Sequence, residues 1–377
     1  MAEFIMQMRP LFGVEEKQAL MKYMEGDVFL TEFKQTEKFE GMIAKFVGAK
    51  HCIVVNNGTI SLTLAAIAAG IKADDEVIVP NFTMIATPNS LKFFGAKPVL
   101  VDVEIDTLCM DIRKVEEAIT PKTKAIILVS ANGRYPKSGI KKFEELCLNN
   151  KLIMIEDAAQ SLGSFYPDGR HIGTAGLVGS FSFSAPKIIS TGQGGALVTD
   201  CDVIARKLRK LKDFGRMNGG NDIHDEIGYN FKFTDLQACV GIEQMKKLKK
   251  RIKRKKILFD TYRHELEDIK EVELFTHNLE TTAPWFIDCL VLSRSKLMNY
   301  LFEAGIGTRV MYPPINNQQA YQYAGQFPVS NLIGRKGLWL PSSVQLTVKD
   351  VKRICSAIKE FYKLENILEK RSADGSS

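Results

Sequence analysis

Short, nearly unbroken apolar runs alternate with helix-length segments through the first half of the chain. The runs at 52–56, 76–79, 98–101, 125–130, 152–156, 180–183 and 195–199 predict seven strands. Segments over 61–69, 112–119 and 140–149 predict helices between them. Strands with so little polar alternation are buried on both faces, and helical crossovers are what parallel pairing requires. The pattern therefore predicts a large α/β domain on a seven-stranded, mostly parallel sheet. A helical pattern follows over 234–267, after which buried-strand runs thin out until an amphipathic helix over 348–368. This change of texture predicts a smaller α+β unit. The expected limits are 1–250 for the large domain with its N-terminal arm, 251–368 for the smaller domain, and 369–377 as a polar, disordered tail.

Composition leaves this picture intact. At 377 residues, 45% apolar and 25% charged, the chain is neither disordered nor fibrous. Its most apolar stretch, 62–71, is ten residues long and holds Thr63 and Gly70, too short to span a bilayer. The opening MAEFIMQMRP shows no signal-peptide core. Seven cysteines lie far apart with no CxxC pair, so neither a disulfide framework nor a cysteine-based metal site is expected. Buried thiols in the cytoplasm are the expected reading. Charge is concentrated in one place. Nine of the eleven residues at 246–256 (KKLKKRIKRKK) are basic, more than the whole chain's net charge of +7, so the remainder is slightly acidic. Such a run can bind nucleic acid, but no aromatic interleaves it to stack on bases. A solvated helix face is expected instead.

Three strand ends carry candidate chemistry, because ligands of parallel sheets bind beyond the carboxyl ends of strands. Asn57-Gly58-Thr59 stands between a strand and a helix, where free amides and the helix dipole suit a phosphate; an ordinary capped turn has the same appearance. Asp157, in IEDAAQ, can hold a positively charged heterocyclic nitrogen, with small residues beside it for a flat ring. It could equally cap the following turn. Lys187 ends SFSFSAPK, with hydroxyls at Ser182 and Ser184 and a glycine-rich return at 191–195. It is either a loop lysine or an amine nucleophile beside a phosphate cradle. Taken in order, cradle, acid and amine meet the requirements of pyridoxal 5′-phosphate (PLP).

These motifs resemble the DegT/DnrJ/EryC1/StrS family of sugar aminotransferases, within the fold-type I PLP enzymes, and most of all its perosamine-synthase branch. The resemblance runs from about Arg9 to Phe361. It includes DEVIVPNFTMIATPNS (75–90), IEDAAQSLGS (155–164), GSFSFSAPKIISTGQGGALVT (179–199), GYNFKFTDLQACVGIEQ (228–244), RVMYPPI (309–315) and GLWLPSS (337–343). It implies that Lys187 binds the cofactor covalently as an internal aldimine and that Asp157 pairs with the pyridine nitrogen. Ala159 would lie against the ring and Gln160 near its phenolic oxygen, with Ser182, Gly58 and Thr59 on the phosphate. Asn230 would reach the phosphate of the neighbouring subunit, in a homodimer with shared active sites. The implied reaction moves an amino group from L-glutamate, leaving 2-oxoglutarate, to C4 of an NDP-4-keto-6-deoxyhexose, giving a perosamine- or viosamine-type sugar.

Some positions depart from the family pattern. Met84 stands where an aromatic usually stacks on the ring, and Asn316 where a histidine usually follows the YPP-like element. Tyr312, Arg309 and Asn316 are the candidate substrate contacts, and Arg134 reads as a structural loop residue. A related dehydratase carries histidine in place of the lysine, so Lys187 favours amine transfer. The alternatives are a 3-keto-sugar aminotransferase, another PLP enzyme of the family, and, more remotely, a nucleic-acid-binding regulator using the basic helix.

Overall fold

The computed structural model describes residues 3–26, 29–216 and 222–374. Helices α1 (Val14–Met24) and α2 (Lys34–Val47) precede the alternation β1 (His51–Val55), α3 (Gly58–Ala68), β2 (Glu76–Pro80), α4 (Ala86–Lys92), β3 (Lys97–Val101), α5 (Ile112–Ala118), β4 (Thr123–Val129), α6 (Ile140–Asn150) and β5 (Ile153–Asp157). Then come β6 (Val178–Ser182), β7 (Gly195–Thr199), α7 (Asp202–Lys212) and the long α8 (Asp235–Leu266). The remainder is β8 (Val272–Leu274), β9 (Ile287–Val291), α9 (Arg294–Glu303), β10 (Arg309–Val310), α10 (Pro328–Lys336), β11 (Gly337–Leu340) and α11 (Val348–Asp374).

The first seven strands form one sheet in the order β1-β7-β6-β5-β4-β2-β3. Only β7 runs against its neighbours, because the chain returns directly from β6 without a helical crossover. Alternation along each strand divides the apolar side chains between two cores. Cys52 and Val54 pack with α2, α6 and α8 residues such as Phe39, Phe143 and Ile242. Ile53 and Val55 pack on the other face with Leu62, Leu64 and Leu208 from α3 and α7.

The second sheet is antiparallel, in the order β10-β11-β9-β8. Its core contains Leu258, Phe259 and Tyr262 from the later turns of α8, whereas Ala238 and Leu248 from the earlier turns belong to the first core. The limit expected at 250/251 thus falls inside an unbroken helix shared by both bodies. The N-terminal segment also reaches the second body, where Ile5 bridges Ile306. The last helix corrects the expected tail. It continues to Asp374, since nothing after 368 breaks a helix until Gly375; residues 375–377 lie outside the described ones. Among the described residues no helix is long and apolar enough to cross a membrane.

The basic run is a second correction, for it is not simply a solvated face. Lys249, Lys250 and Lys253 are exposed, but Lys247 pairs with Glu15 and Glu16 at 2.8 Å. Arg251 is 5% exposed and donates to the Ile188 and Leu11 carbonyls at 2.9 and 2.7 Å. Lys255 is fully buried and donates to the carbonyls of Trp285 and Ser342. At 3.6 residues per turn, nine cations in eleven positions leave no face without them, so some must point inward.

Candidate active site

The phosphate cradle begins where β1 ends. Asn57 is extended at φ −165° and caps α3 by accepting the Ile60 amide at 2.9 Å. Among the described residues the Gly58 and Thr59 amides have no acceptor. They open α3 at the positive end of its dipole. Gly58 is required for space: a Cβ there would stand 2.9 Å from Ser182 Cβ. Gly195 is required for the same reason, since its Cβ would lie 2.5 Å from the Asn57 carbonyl oxygen. The two glycines thus let α3, β6 and β7 close around one small space beside the Ser182 hydroxyl. Asn230 is exposed in the neighbouring segment, where Asn56 N–H donates to the Phe231 carbonyl at 3.2 Å.

Glu156 and Asp157 end β5 and point to opposite faces. Glu156 is structural: it accepts from Tyr166 Oη at 2.6 Å and from the amides of Gly173, Ala175 and Gly176 at 2.8, 2.6 and 2.7 Å. Asp157, on the side of Lys187, has fewer donors. Its Oδ2 accepts from Thr87 Oγ1 at 2.7 Å and its Oδ1 from the Ala159 amide at 3.2 Å. Thr87 in turn meets the Thr83 hydroxyl at 3.0 Å. Burial raises the Asp157 carboxyl above its usual range, while the charge of Lys187 works the other way. A buried carboxylate with two donors has lone pairs left for a cationic N–H.

Lys187 lies in the turn after β6, its amide donating to the Ser184 carbonyl at 3.0 Å. The residue as a whole is half-buried, but protein surrounds the amine. Desolvation lowers its pKa to about 8, partly opposed by Asp157. The amine sits 4.2 Å from the ring centroid of Trp285. The indole of Trp285 donates to the Pro186 carbonyl at 2.8 Å.

Other expected residues divide by what they touch. Ala159 and Gln160 are half-buried beside Asp157. Gln160 Oε1 accepts the Asn132 amide at 2.6 Å, which fixes the orientation of its side chain. Asn132 has φ +55°, a left-handed conformation that asparagine tolerates. It also clasps Phe286 through both its amide groups, at 2.6 and 2.8 Å. Arg134 is buried, paired with Asp288 at 2.5 Å and bonded to the Thr276 carbonyl, the structural part expected of it. Tyr312 stands edge-on to Trp339 at 4.7 Å, and burial raises its phenol well above the usual range. Arg309 is exposed with its guanidinium 5.5 Å from the Trp339 ring. Met84 is 44% exposed.

Asn316 is half-buried, and its amide has two protein partners that still leave one N–H and one oxygen lone pair unused. Its Oδ1 accepts from Asn81 at 2.8 Å, and its Nδ2 donates to Asn317 at 2.9 Å. Thr83, Thr87, Asn132 and Trp285 were not singled out from the sequence. The threonines, four apart within FTMIATP, were the one readable signal.

The residues fit PLP. A cradle that any Cβ would fill, a buried carboxylate short of donors and an amine enclosed by protein converge on one end of the sheet. Comparison with known proteins agrees. The family model for DegT/DnrJ/EryC1/StrS aminotransferases matches residues 10–359. A GDP-perosamine synthase of Vibrio cholerae is 33% identical over 338 residues, covering 87% of this chain and 91% of that relative. Another, of Escherichia coli O157:H7, is 32% identical over 364 residues, covering 96% and 99%. The structure of S. venezuelae DesV in complex with a ketimine intermediate matches with a TM-score of 0.86 at 31% identity, covering 92% and 94%. The chain is a PLP-dependent aminotransferase belonging to the DegT/DnrJ/EryC1/StrS aminotransferase family.

Proposed function

We propose that this enzyme carries the amino group of L-glutamate to C4 of a nucleotide-linked 4-keto-6-deoxyhexose, giving a 4-amino-4,6-dideoxyhexose of the perosamine or viosamine type. The observation that carries the reading is the enclosed Lys187 amine facing a buried Asp157 at the end of the sheet. The GDP-perosamine synthases at 32–33% identity support the choice of substrate class and of C4.

When bound, PLP supplies an electron sink for the carbon that loses its proton. The chain's residues have separate tasks. The Gly58 and Thr59 amides and Ser182 hydroxyl would bind the phosphate, and Asp157 would hold the proton on the ring nitrogen. Lys187 Nζ would bind the cofactor aldehyde carbon and, when free, move a proton. With a pKa of about 8 it is neutral in a useful fraction of molecules near neutral pH, whereas an ordinary lysine is not. Ala159, Gln160 and Met84 would border the ring. Tyr312 and Arg309, beside Trp339, would meet the substrate.

A homodimer fits the exposed apolar side chains Phe29, Phe33, Ile223 and Ile227, which leave an apolar surface for a second copy. In that dimer Asn230 would complete the neighbouring subunit's phosphate site. Seven free cysteines suit the cytoplasm, the expected location.

Borohydride reduction of the loaded enzyme followed by peptide mapping should place the cofactor on Lys187, and Lys187→Ala should lose the visible absorbance of the lysine-bound cofactor. An adduct elsewhere ends the reading. Offering 4-keto and 3-keto nucleotide sugars to the glutamate-treated enzyme, with products identified by NMR, tests the position of amination. A 3-amino product would replace C4 by C3.

A further inference from the structure

Trp285 is held more firmly than a pocket wall requires. It is 4% exposed and stacks on Phe286, with centroids 3.8 Å apart and planes 17° apart. It also meets Trp339 edge-on at 5.9 Å. Its indole N–H is spent on Pro186, the residue bonded to Lys187. The backbone amide of Trp285 donates to the Asn132 carbonyl at 3.4 Å, and its carbonyl accepts from the buried Lys255 of α8. Ring, indole N–H, amide and carbonyl are therefore all fixed, and one face of the ring remains for Lys187.

The amine needs such a partner. Asp157 acts on it only through space, and among the described residues no carboxylate bonds it directly. During amino transfer a lysine that binds the cofactor must be released and later recaptured. A free ammonium in this buried pocket would be drawn onto Asp157, taking the counter-charge that the ring nitrogen requires. The attraction of a cation to an indole face is strongest where water is excluded.

We propose that the face of Trp285 is the seat of the Lys187 side chain whenever its amine carries no covalent bond, keeping the ammonium in the pocket and off Asp157. This rests on the reading of Lys187 as the cofactor-binding lysine. The seat favours the charged amine, so it raises the Lys187 pKa against the effect of burial.

The test changes the electronics of the ring while keeping its shape. The full-length chain, freed of cofactor, is produced with tryptophan replaced by its mono-, di- and trifluorinated forms. The chain has two tryptophans, so Trp339→Phe serves as the control that leaves only Trp285 substituted. Lys187 is titrated by the pH dependence of its labelling with limiting acetic anhydride, read by peptide mass spectrometry. Each fluorine weakens the negative face of the ring, so the Lys187 pKa should fall in steps, by about one unit across the series. A pKa that stays flat, while borohydride still maps the cofactor to Lys187, overturns the seat and leaves the assigned lysine intact. An adduct on another residue removes the foundation, and that result is read independently of the fluorine series.

Discussion

Replacing Gly58 by alanine tests the phosphate cradle with a single methyl group. The new Cβ would lie 2.9 Å from Ser182 Cβ, 3.1 Å from its hydroxyl and 3.6 Å from its Cα. Unstrained carbon contacts are about 3.5–4.0 Å. Ser182 has little room to yield, because it ends β6 opposite Gly195, which itself has no space toward Asn57. The first turn of α3 must therefore move by a few tenths of an ångström, or the serine must rotate away. Either change lengthens at least one charge-assisted bond to the phosphate, each worth about 1.5–3 kcal/mol. The Kd for PLP should rise about 10- to 100-fold. Titrating the cofactor-free variant with PLP, followed by visible absorbance, measures this. Pyridoxal without the phosphate is the control and should bind variant and parent alike. An unchanged PLP affinity, or an equal loss for pyridoxal, would refute the reasoning.

Further tests address the acid, a helix and a buried amine. Asp157→Asn should bind PLP within about tenfold of the parent yet lose more than about 100-fold in turnover, since an amide cannot hold the ring nitrogen protonated; near-normal steady-state rates would count against the role. Gly41→Ala, inside α2 with nothing within 4 Å of the new Cβ, should raise stability by about 0.5–1 kcal/mol in urea unfolding. Burial holds Lys255 at a pKa of about 7, while the unfolded chain keeps an ordinary lysine near 10.4. Between those values the unfolded state binds more protons, so this group makes the native state more stable as pH rises from about 7 to about 10. Lys255→Met should therefore lose that rise, and a parent-minus-variant difference independent of pH would contradict it.

Strand positions were legible to within two residues because burial on both faces leaves a run with no polar interruption. The seven-stranded order was not, since it depends on which runs pair. Two helices that the pattern does not predict show why amphipathicity is a weaker signal. In α1, Val14, Met21 and Met24 are exposed, and α4 is seven residues long with a proline in its first turns. In α2, by contrast, Phe39, Ile43 and Val47 recur every four residues and face the core, a period that does mark a helix. The site shows a similar division. Gly58, Asp157, Ser182 and Lys187 were candidates because each stands at the end of a strand or a few residues beyond one, Ser182 and Lys187 sharing β6. Thr87 bonds Asp157 across 70 residues and Trp285 bonds Pro186 across 99, and no local pattern announces such a contact.

The acids at 156 and 157 make the limit concrete. Chemically they differ by one methylene, and the motif presents them as a pair. The pleat separates them: one meets four donors and ties down the loop at 173–176, while the other meets two and keeps lone pairs toward the pocket. The basic run obeys the same logic. Its sequence shows only abundance of charge, which suggested a solvated face, but helical rotation sends Arg251 and Lys255 inward to backbone carbonyls. Those carbonyls belong to Leu11, Ile188, Trp285 and Ser342. They come from the N-terminal arm, the turn carrying Lys187 and two loops of the second body. A side chain with several N–H donors can satisfy such acceptors at once, where an apolar side chain would leave them unpaired. Arg251 and Lys255 therefore act as an internal clamp between the two bodies, and Lys255 holds the carbonyl of the same Trp285 whose ring lies over the amine.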